Sequence, residues 1–383
     1  MKCSDYIYLD QAATSFPKPP SVLAAVRRAL YEAGGNPGRS AHRLSLAAAE
    51  GIYTCREKVA AFFDAPREEG VVFTQNATYA LNMAIFSFAK EGGHILISDM
   101  EHNAVLRPVC HLAKKGIISY EIYPTDKDTA KEVEKRIKKE TCLVIANHAS
   151  NICGRILPVA KIGALCQKKG IPFLVDASQS AGHLPISLSK MGISVLCAPA
   201  HKGLYGIQGA GFALFDKSYP LPPFILGGSG AFSLSEEMPS EYPEHFEAGT
   251  LPTPAVFALA AGIGELEKAG ISAIHDHILS LERGLREKLM NIGGVRLLLP
   301  REMGNGILSF TAEGVSPAIL GGRLDEEGFG VRSGLHCAPL AHKALGTEKT
   351  GTVRVSLGLS NTKAECDAFA RSLCRILKEA GKR

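Results

Sequence analysis

The sequence predicts a two-lobed α/β protein whose larger lobe holds a mostly parallel sheet covered by helices on both faces. The chain has 383 residues, which is more than one typical domain contains. Between about residues 21 and 214, short apolar runs alternate with amphipathic helical segments. The apolar runs are continuous, which is typical of strands that are buried on both faces.

The larger lobe contains seven segments with strand character and several helical segments. A helix is predicted from Ser21, which is a typical N-cap residue, to Gly34, where glycine ends the apolar periodicity. The predicted strands are 70–74, 94–98, 118–123, 142–148, 172–177, 194–199 and 211–215. The other predicted helices are 44–63, 78–90, 103–115, 129–139 and 158–169.

The second half of the chain predicts a smaller α+β lobe. Residues 216–253 are rich in Pro, Gly and Ser and form a crossing region. One long helix is predicted from Ala255 to about Leu289. Strands follow at "GILSF", "GFGVRSG" and "GTVRVSLG", and a closing helix is predicted over 363–378.

The composition is that of a globular protein with a sizeable core. Hydrophobic residues make up 46% of the chain and charged residues 21%, and the net charge is only +5. Basic residues are scattered among acidic ones, so no nucleic-acid surface is indicated. No apolar run reaches the roughly 18 residues that a membrane helix needs.

The cysteines indicate a reducing compartment. None of the ten forms a CxxC pair or a zinc-like spacing, so neither a disulfide framework nor a metal site is expected. The N-terminus lacks the basic and apolar blocks of a signal peptide. Together these observations predict a cytoplasmic location without membrane attachment.

The segment "CAPAHKGLYGIQGAG" contains the sharpest local signal, Lys202, which follows an apolar strand in a glycine-rich turn. A partly desolvated lysine there would favour the neutral amine that forms a Schiff base. Taken alone, a lysine in a turn is more often a surface residue. The glycines have the wrong spacing for a dinucleotide fingerprint and precede a strand, which argues against a nicotinamide dehydrogenase.

Two polar residues, Asp176 and Gln179, end the buried-type strand in "PFLVDASQS". A carboxylate facing a pyridine nitrogen keeps that nitrogen protonated, which makes the ring an electron acceptor. By itself, a strand-end Asp is as often a helix cap. Because Asp176 and Lys202 follow consecutive strands, both are expected in one crevice at the carboxyl ends of the sheet.

Two further strand ends offer groups for a planar phosphorylated ligand. "FTQNATYALNMAIF" places a helix N-terminus near Thr78, where backbone N–H groups bind phosphate, although Asn76 or Thr78 could simply cap the helix. His102 follows the strand "HILIS", where its ring could stack on a flat ligand and move protons. A lone histidine there would more often be a solvated loop residue.

The motifs now stand in a recognisable order: the lysine turn, Asp-x-x-Gln, "EHNA", "HASNICG", "FEAGT", "VRSGLHCA" and "VRVSLGLSNT". In this order the chain resembles the class V aminotransferase family, and within it the cysteine desulfurases and selenocysteine lyases. The resemblance implies fold type I of the transferases that depend on pyridoxal 5'-phosphate (PLP). It also implies a large PLP-binding domain over 18–254 and a small domain formed by 1–17 and 255–383.

The resemblance also implies roles for individual residues. Lys202 would bind PLP as a Schiff base, Asp176 would pair with the pyridine nitrogen, and Gln179 would donate to the ring phenolate oxygen. His102 would stack on the ring and act in catalysis. The phosphate would be held by Ala77, Thr78 and His201, with Thr250 reaching in from the second subunit of a homodimer. The substrate would be bound by Asn151, Arg354, Arg332 and Arg39, since arginine binds carboxylates well.

Cys337, in "RSGLHCAPL", is the residue that separates a desulfurase from an ordinary aminotransferase. Its context resembles the short catalytic loop of group II cysteine desulfurases, in which a thiolate takes the substrate sulfur. The alternative is one more structural cysteine. The family usually has Ser or Thr three residues before the lysine, and this chain has Pro199 there.

The resemblance therefore implies conversion of L-cysteine to L-alanine, with the sulfur held by Cys337 as a persulfide and passed to an acceptor protein or a small thiol. Selenocysteine lyase is the first alternative. A β-lyase, an epimerase or an aminotransferase would use the same cofactor. A catalytically silent relative that acts as a binding protein is the alternative that Pro199 favours.

Overall fold

The computed structural model describes residues 6–38, 41–231 and 233–380. The strands are β1 Ile7–Tyr8, β2 Val71–Thr74, β3 Gly93–Ser98, β4 Ile118–Tyr123, β5 Thr141–Asn147, β6 Phe173–Asp176, β7 Val195–Pro199, β8 Gly211–Phe215, β9 Val295–Leu297, β10 Ile307–Ala312, β11 Phe329–Gly330, β12 Arg332–Gly334 and β13 Thr352–Ser356. The helices are α1 Pro20–Tyr31, α2 Arg43–Phe62, α3 Ala77–Phe88, α4 Asn103–Lys114, α5 Thr129–Arg136, α6 Val159–Lys169, α7 Leu188–Met191, α8 Thr253–Ala269, α9 Ile271–Met290, α10 Pro317–Glu326, α11 Pro339–Ala344 and α12 Lys363–Ala380.

Seven strands form one sheet in the order β2-β8-β7-β6-β5-β3-β4. β8 is antiparallel to both of its neighbours, and the other pairs are parallel. The predicted α/β class with a mixed, mostly parallel sheet is therefore confirmed, and each of the seven predicted strands is present within one or two residues of its predicted bounds.

The sheet is buried on both faces, as the continuous apolar strands predicted. Every residue of β5, β6 and β7 is buried. Successive residues point to opposite faces, so Val144 packs into a core with α2, α6 and α8, whereas Ile145 packs into a core with α3 and α4. This double cover leaves the strand ends as the place where polar groups can converge.

A second sheet of four antiparallel strands has the order β12-β13-β10-β9. The N-terminal segment joins this region, because β1 pairs with β11 and Asp10 forms a bridge with Ser356. The domain bounds of 18–254 and of 1–17 with 255–383 stay a prediction.

The prediction of one helix from Ala255 to about Leu289 was wrong. Two helices, α8 and α9, meet at Gly270, whose φ of 78° lies outside the helical range. Glycine adopts this left-handed φ without steric cost, which allows the chain to turn there. Short strand β9 was also missed, because three residues carry too little pattern.

Throughout the three described ranges, every helix is too short or too polar to cross a bilayer.

Candidate active site

A cavity opens at the carboxyl ends of the central strands of the seven-stranded sheet. It is lined by most of the predicted site residues, namely Ala77, Thr78, His102, Asn151, Asp176, Gln179, His201 and Lys202, together with Pro199. These residues come from the ends of several strands and from the N-terminus of α3. The strand-end argument thus brought together residues that are up to 125 positions apart, from Ala77 to Lys202.

Lys202 lies in the turn after β7, and its side chain faces the cavity. Burial lowers the pKa of its amine to about 8, although the opposing carboxylate of Asp176 works in the other direction. Desolvation penalises the charged ammonium, so the neutral, nucleophilic amine is available near neutral pH. This is the property that a Schiff-base lysine needs.

The peptide that precedes Lys202 is fixed by a set of donors that the sequence did not predict. The His201 carbonyl accepts hydrogen bonds from the Ser15 backbone N–H at 3.0 Å and from Thr14 Oγ1 at 3.0 Å. Lys18 Nζ donates to the same oxygen at 2.8 Å, and burial lowers the pKa of Lys18 to about 8. These residues belong to "YLDQAATSFPKP", so the N-terminal segment orients the lysine turn.

Asp176 ends β6 and is only 4% exposed. Its Oδ1 accepts a hydrogen bond from the Ser178 backbone N–H at 2.9 Å, which fixes the carboxylate at the cavity.

Glu101 is a second buried acid near this carboxylate, and the sequence analysis missed it. Glu101 Oε1 accepts from Ser98 Oγ at 2.5 Å and from the Asn147 N–H at 2.8 Å. Burial raises the pKa of Glu101 to about 8, so it is protonated at neutral pH. Glu101 belongs to the motif "EHNA", but a functional role was predicted only for the histidine of that motif.

His102 caps helix α4 through its ring. Nδ1 accepts a hydrogen bond from the Ala104 N–H at 3.0 Å. Burial lowers the pKa of His102, which favours a neutral ring that carries its proton on Nε2. A neutral ring at the cavity wall can stack on a flat ligand and can donate a hydrogen bond from Nε2.

The N-terminus of helix α3 contributes an anion site. Asn76 Oδ1 accepts from the Tyr79 N–H at 2.9 Å, which caps the helix, while Ala77 and Thr78 line the cavity. The first N–H groups of a helix have no acceptor within it and favour a phosphate. His201 adds a ring whose pKa burial lowers to about 4, so it is neutral.

Gln179 lines the cavity, but its amide is engaged. Its Nε2 donates to the Ala12 carbonyl at 3.0 Å, and its backbone carbonyl accepts from Asn305 Nδ2. The donation to a ring oxygen that was expected of Gln179 stays a prediction.

Arg354 is a buried cation at the boundary between the two sheets, with an exposure of 1%. Its Nη2 forms an ion pair with Asp10 Oδ1 at 2.6 Å, and its Nη1 donates to the Asn151 carbonyl at 3.0 Å. Burial lowers the pKa of Arg354, and Asp10 opposes this effect. The predicted carboxylate-binding arginine therefore has an internal carboxylate partner.

Among the described site residues that the sequence predicted, Arg354, Cys337, Thr250 and Arg332 are not part of the cavity lining. Thr250 is exposed and lines a separate hollow, so its expected action from a second subunit stays a prediction. Arg332 lies beside Cys337, with 4.0 Å between Nη2 and Sγ. Arg39 lies outside the described residues.

Cys337 is exposed on a loop with an unusual backbone. His336 and Cys337 have φ values of 47° and 58°, a region that residues other than glycine rarely adopt. Three hydrogen bonds hold the loop. The Asn103 N–H donates to the Cys337 carbonyl at 2.8 Å, Asn151 Nδ2 donates to the His336 carbonyl at 2.7 Å, and the His336 ring Nε2 is hydrogen-bonded to Thr352 Oγ1 at 3.0 Å. Cys337 lines a groove that shares Thr78 and His102 with the lysine cavity.

The other described cysteines contrast with Cys337. None of them is exposed: Cys55, Cys142, Cys153, Cys166, Cys197 and Cys366 are buried, and Cys110 and Cys374 are half-buried. Burial raises the pKa of Cys55 and Cys166 to about 12, so these thiols are inert. Among the described cysteines, only Cys337 combines exposure with access to the cavity.

Comparison with known proteins decides the family. The family model described as aminotransferase class-V matches residues 7–369. The chain belongs to the class V aminotransferase family. The resemblance inferred from the motifs is thus confirmed.

Class V relatives match over nearly their whole length. A probable cysteine desulfurase of Methanothermobacter thermautotrophicus is 32% identical, and the match covers 97% of this chain and 95% of the relative. A probable cysteine desulfurase of Halalkalibacterium halodurans is also 32% identical, with 97% and 93% covered. The apo structure of a cysteine desulfurase from Thermococcus onnurineus superposes with a TM-score of 0.90 at 31% identity, covering 98% of this chain and 96% of the other.

Class V membership implies PLP, and the residues at the cavity fit this cofactor. Lys202 offers a desolvated amine for the aldehyde, Asp176 offers a fixed carboxylate, and the N-terminus of α3 offers N–H donors for the phosphate. The buried Nδ1 of His201 has no hydrogen-bond partner within the described structure. Pro199 lines the same cavity without a hydroxyl, so the phosphate would depend on the remaining donors.

Proposed function

We propose that this protein is a PLP-dependent cysteine desulfurase that converts L-cysteine to L-alanine and takes the sulfur onto Cys337 as a persulfide. One observation carries the proposal: the exposed Cys337 lines a groove that shares His102 and Thr78 with the cavity of Lys202. A nucleophilic thiol therefore lies beside the place where the substrate would be activated.

Lys202, Asp176 and the N-terminus of α3 would hold the cofactor, with Thr78 and His201 at its phosphate. When bound, PLP withdraws electrons from the α-carbon of the substrate and so weakens the bond to its α-proton. The Lys202 amine can accept and return a proton, because its pKa of about 8 is close to physiological pH.

The substrate carboxylate would bind Arg354 and Asn151. The guanidinium of Arg354 is already aligned by Asp10 and by the Asn151 carbonyl, so its fork is oriented before substrate arrives. Arg332 and Arg39 complete the set that we propose for substrate binding.

Cys337 would act on the sulfur of the substrate. Its thiolate attacks that sulfur, an S–S bond forms, and the bond between the sulfur and the β-carbon breaks. The electron pair of that bond stays with the carbon, which is protonated and leaves as part of alanine. The Arg332 guanidinium, 4.0 Å from Sγ, places positive charge beside the attacking sulfur.

Product analysis tests this function. The purified protein reconstituted with PLP is incubated separately with L-cysteine and L-selenocysteine, and alanine, pyruvate, sulfide and selenide are measured. We expect alanine and a protein persulfide from cysteine. Pyruvate with ammonia would indicate a β-lyase instead, and exchange with a keto acid would indicate an aminotransferase.

The variant Cys337→Ser should lose cysteine desulfuration while it retains bound cofactor, whereas Cys374→Ser on α12 is the matched control and should keep full activity. Unchanged activity of Cys337→Ser on cysteine would remove this residue from the mechanism. Activity retained only on selenocysteine would favour the selenocysteine lyase alternative, because selenium leaves more readily without a nucleophile.

We also propose that the protein is a cytoplasmic homodimer in which Thr250 of one subunit reaches the phosphate of the other. The reduced, mostly buried cysteines support a reducing compartment. The exposed position of Thr250, apart from the cavity of its own chain, supports a role across an interface. Sedimentation equilibrium of the purified protein tests the dimer.

A further inference from the structure

Helix α4 carries positive charge along one exposed side. Arg107, His111 and Lys115 follow one another at intervals of four residues, so they lie on one side of the helix end to end, and Lys114 adjoins them. All four side chains are exposed, and no Asp or Glu occurs from 103 to 117. We call these four residues the α4 basic face.

The arginine and the two lysines of the α4 basic face lack acidic partners among the described residues. In the part of the chain that the structure describes, no ion pair joins Arg107, Lys114 or Lys115 to an acid. Neighbouring helix α5 differs, since its Lys135 and Arg136 both pair with one glutamate. The α4 basic face therefore holds surplus charge that is available to a partner.

Helix α4 begins beside Cys337, and a groove leads from this cysteine to the first residues of the α4 basic face. The N–H of Asn103, the first residue of α4, donates to the Cys337 carbonyl at 2.8 Å. A groove of about 600 Å³ runs from Cys337 past His102 to Arg107 and His111, and no acidic side chain is among the residues that line it. A molecule that reaches Cys337 along this groove would pass the positive charges.

We propose that the α4 basic face docks the acceptor of the Cys337 sulfur, and that this acceptor is a polypeptide whose cysteine lies beside acidic side chains. The proposal rests on the desulfurase function proposed above. Arg107 and Lys115 are eight residues apart, which is about 12 Å along a helix. A row of charges of that length exceeds a small thiol and suits a peptide segment with several carboxylates.

The transfer itself needs no outside oxidant or reductant. The acceptor thiolate attacks the outer sulfur of the Cys337 persulfide, and a new S–S bond forms on the acceptor. The S–S bond to Cys337 breaks, and its electron pair returns to Sγ as a thiolate. The acceptor leaves with the persulfide, and Cys337 is ready for another turnover.

Thiol–disulfide exchange tests the docking independently of desulfurase activity. Cys337 of the full-length protein is converted to its mixed disulfide with 2-thiopyridine, and the Cys337→Ser variant supplies the background from other cysteines. Two cysteine peptides of equal length are then compared, one with Glu and Asp around its cysteine and one with Gln and Asn. The release of thiopyridone gives a second-order rate constant for each peptide, and their ratio removes the effect of general accessibility.

We expect Arg107→Gln and Lys115→Gln each to lower the ratio of acidic to neutral peptide by about two- to fivefold, the range of single exposed charge pairs. Arg371→Gln is the matched control, because Arg371 is an exposed arginine on α12, and it should leave the ratio unchanged. In the protein without either substitution, added salt should lower the ratio of the acidic-peptide rate constant to the neutral-peptide rate constant, because salt screens exposed charges.

A ratio that neither substitution changes would overturn the docking proposal. A ratio that responds to Arg107→Gln but not to Lys115→Gln would overturn the polypeptide acceptor and favour a short anionic thiol. Absence of alanine production together with the expected ratios would reject the desulfurase function while the acidic-peptide site stands.

Discussion

The floor of the cavity and the Cys337 loop differ in how far their reactive groups are exposed to solvent. The floor contains Lys202 and Asp176, which lie at or just beyond the ends of buried strands, and Glu101 lies close to Asp176. Asp176 and Glu101 are buried, and Lys202 is half-buried. The Cys337 loop exposes its thiol, has two residues at positive φ, and is tied to the rest of the chain by three hydrogen bonds. Burial lowers the pKa of the Lys202 amine and raises the pKa of Glu101, whereas exposure leaves the Cys337 thiol accessible to a sulfur acceptor.

The contrast teaches where rigidity is needed. A cofactor ring requires fixed partners, and the sheet supplies them because its strands are covered on both faces. A sulfur carrier must meet both a buried substrate and an external acceptor, so it belongs on a loop at the cavity mouth. The following predictions test this division, from the largest expected effect to the smallest.

Removing the Lys202 amine should have the largest effect on activity. Lys202→Ala is expected to lower alanine formation by about three orders of magnitude or more, because among the described residues Lys202 is the only lysine that lines the cavity. Borohydride reduction followed by peptide mapping should label the Lys202 peptide in the unchanged protein and not in the variant. A label on another peptide of the folded, cofactor-loaded protein would place the Schiff base at a different residue and would contradict the role assigned to Lys202.

Removing the buried guanidinium of Arg354, which joins Asp10 to the Asn151 carbonyl, should have the largest effect on the stability of the fold. Arg354→Ala leaves Asp10 and the Asn151 carbonyl without their donor, so we expect the free energy of unfolding of the apoprotein to fall by about 3–5 kcal/mol. Urea denaturation gives the value. Arg332→Ala, next to Cys337, is the control and should cost about 0.5 kcal/mol or less. Equal losses in the two variants would contradict the assignment of Arg354 as the structural link.

Removing one hydrogen bond that holds the Cys337 loop should have an intermediate effect on the rate of persulfide formation. Asn151→Ala removes the hydrogen bond to the His336 carbonyl, which is worth about 1–2 kcal/mol, and should slow persulfide formation about five- to thirtyfold. Rapid-quench measurement at saturating cysteine separates this from weaker substrate binding. A rise in KM with unchanged persulfide formation would show that Asn151 serves the carboxylate only.

The smallest expected effect is a shift in the pH dependence of PLP uptake by the apoprotein. The Lys202 amine must be neutral to attack the aldehyde, so the rate at which apoprotein takes up PLP should rise about tenfold per pH unit and level off above about pH 8. Free N-acetyl-lysine, with its ordinary pKa, should level off about two units higher in the same assay. The Asp176 carboxylate raises the pKa of Lys202, so Asp176→Asn should move the midpoint to lower pH. A midpoint near that of the free amine would show that the floor is not desolvated.

Much of this site could be predicted from sequence because its residues follow strands. Lys202, Asp176 and His102 each come directly after an apolar run, and strand ends of a parallel sheet meet at one edge. Cys337 was identified through its motif, since nine similar cysteines occur in the chain.

Glu101 and Lys18 were not predicted, because their roles depend on partners far along the chain. Burial raises the pKa of Glu101, against the hydrogen bonds from Ser98 and Asn147, which lower it. Lys18 matters only because its amine reaches the His201 carbonyl, 183 positions away. No local pattern distinguishes these residues from an ordinary acid or an ordinary surface lysine.

The sequence by itself determined the α/β class, the seven strands and the family, because continuous apolar runs and ordered motifs are local and each is read directly from the chain. Only the tertiary structure decided that Arg354 is paired with Asp10, that the long helix breaks at Gly270, and that Cys337 opens onto the α4 basic face. The physical reason is that charge, burial and backbone strain are set by neighbours in space, and a linear sequence does not say which neighbours those are.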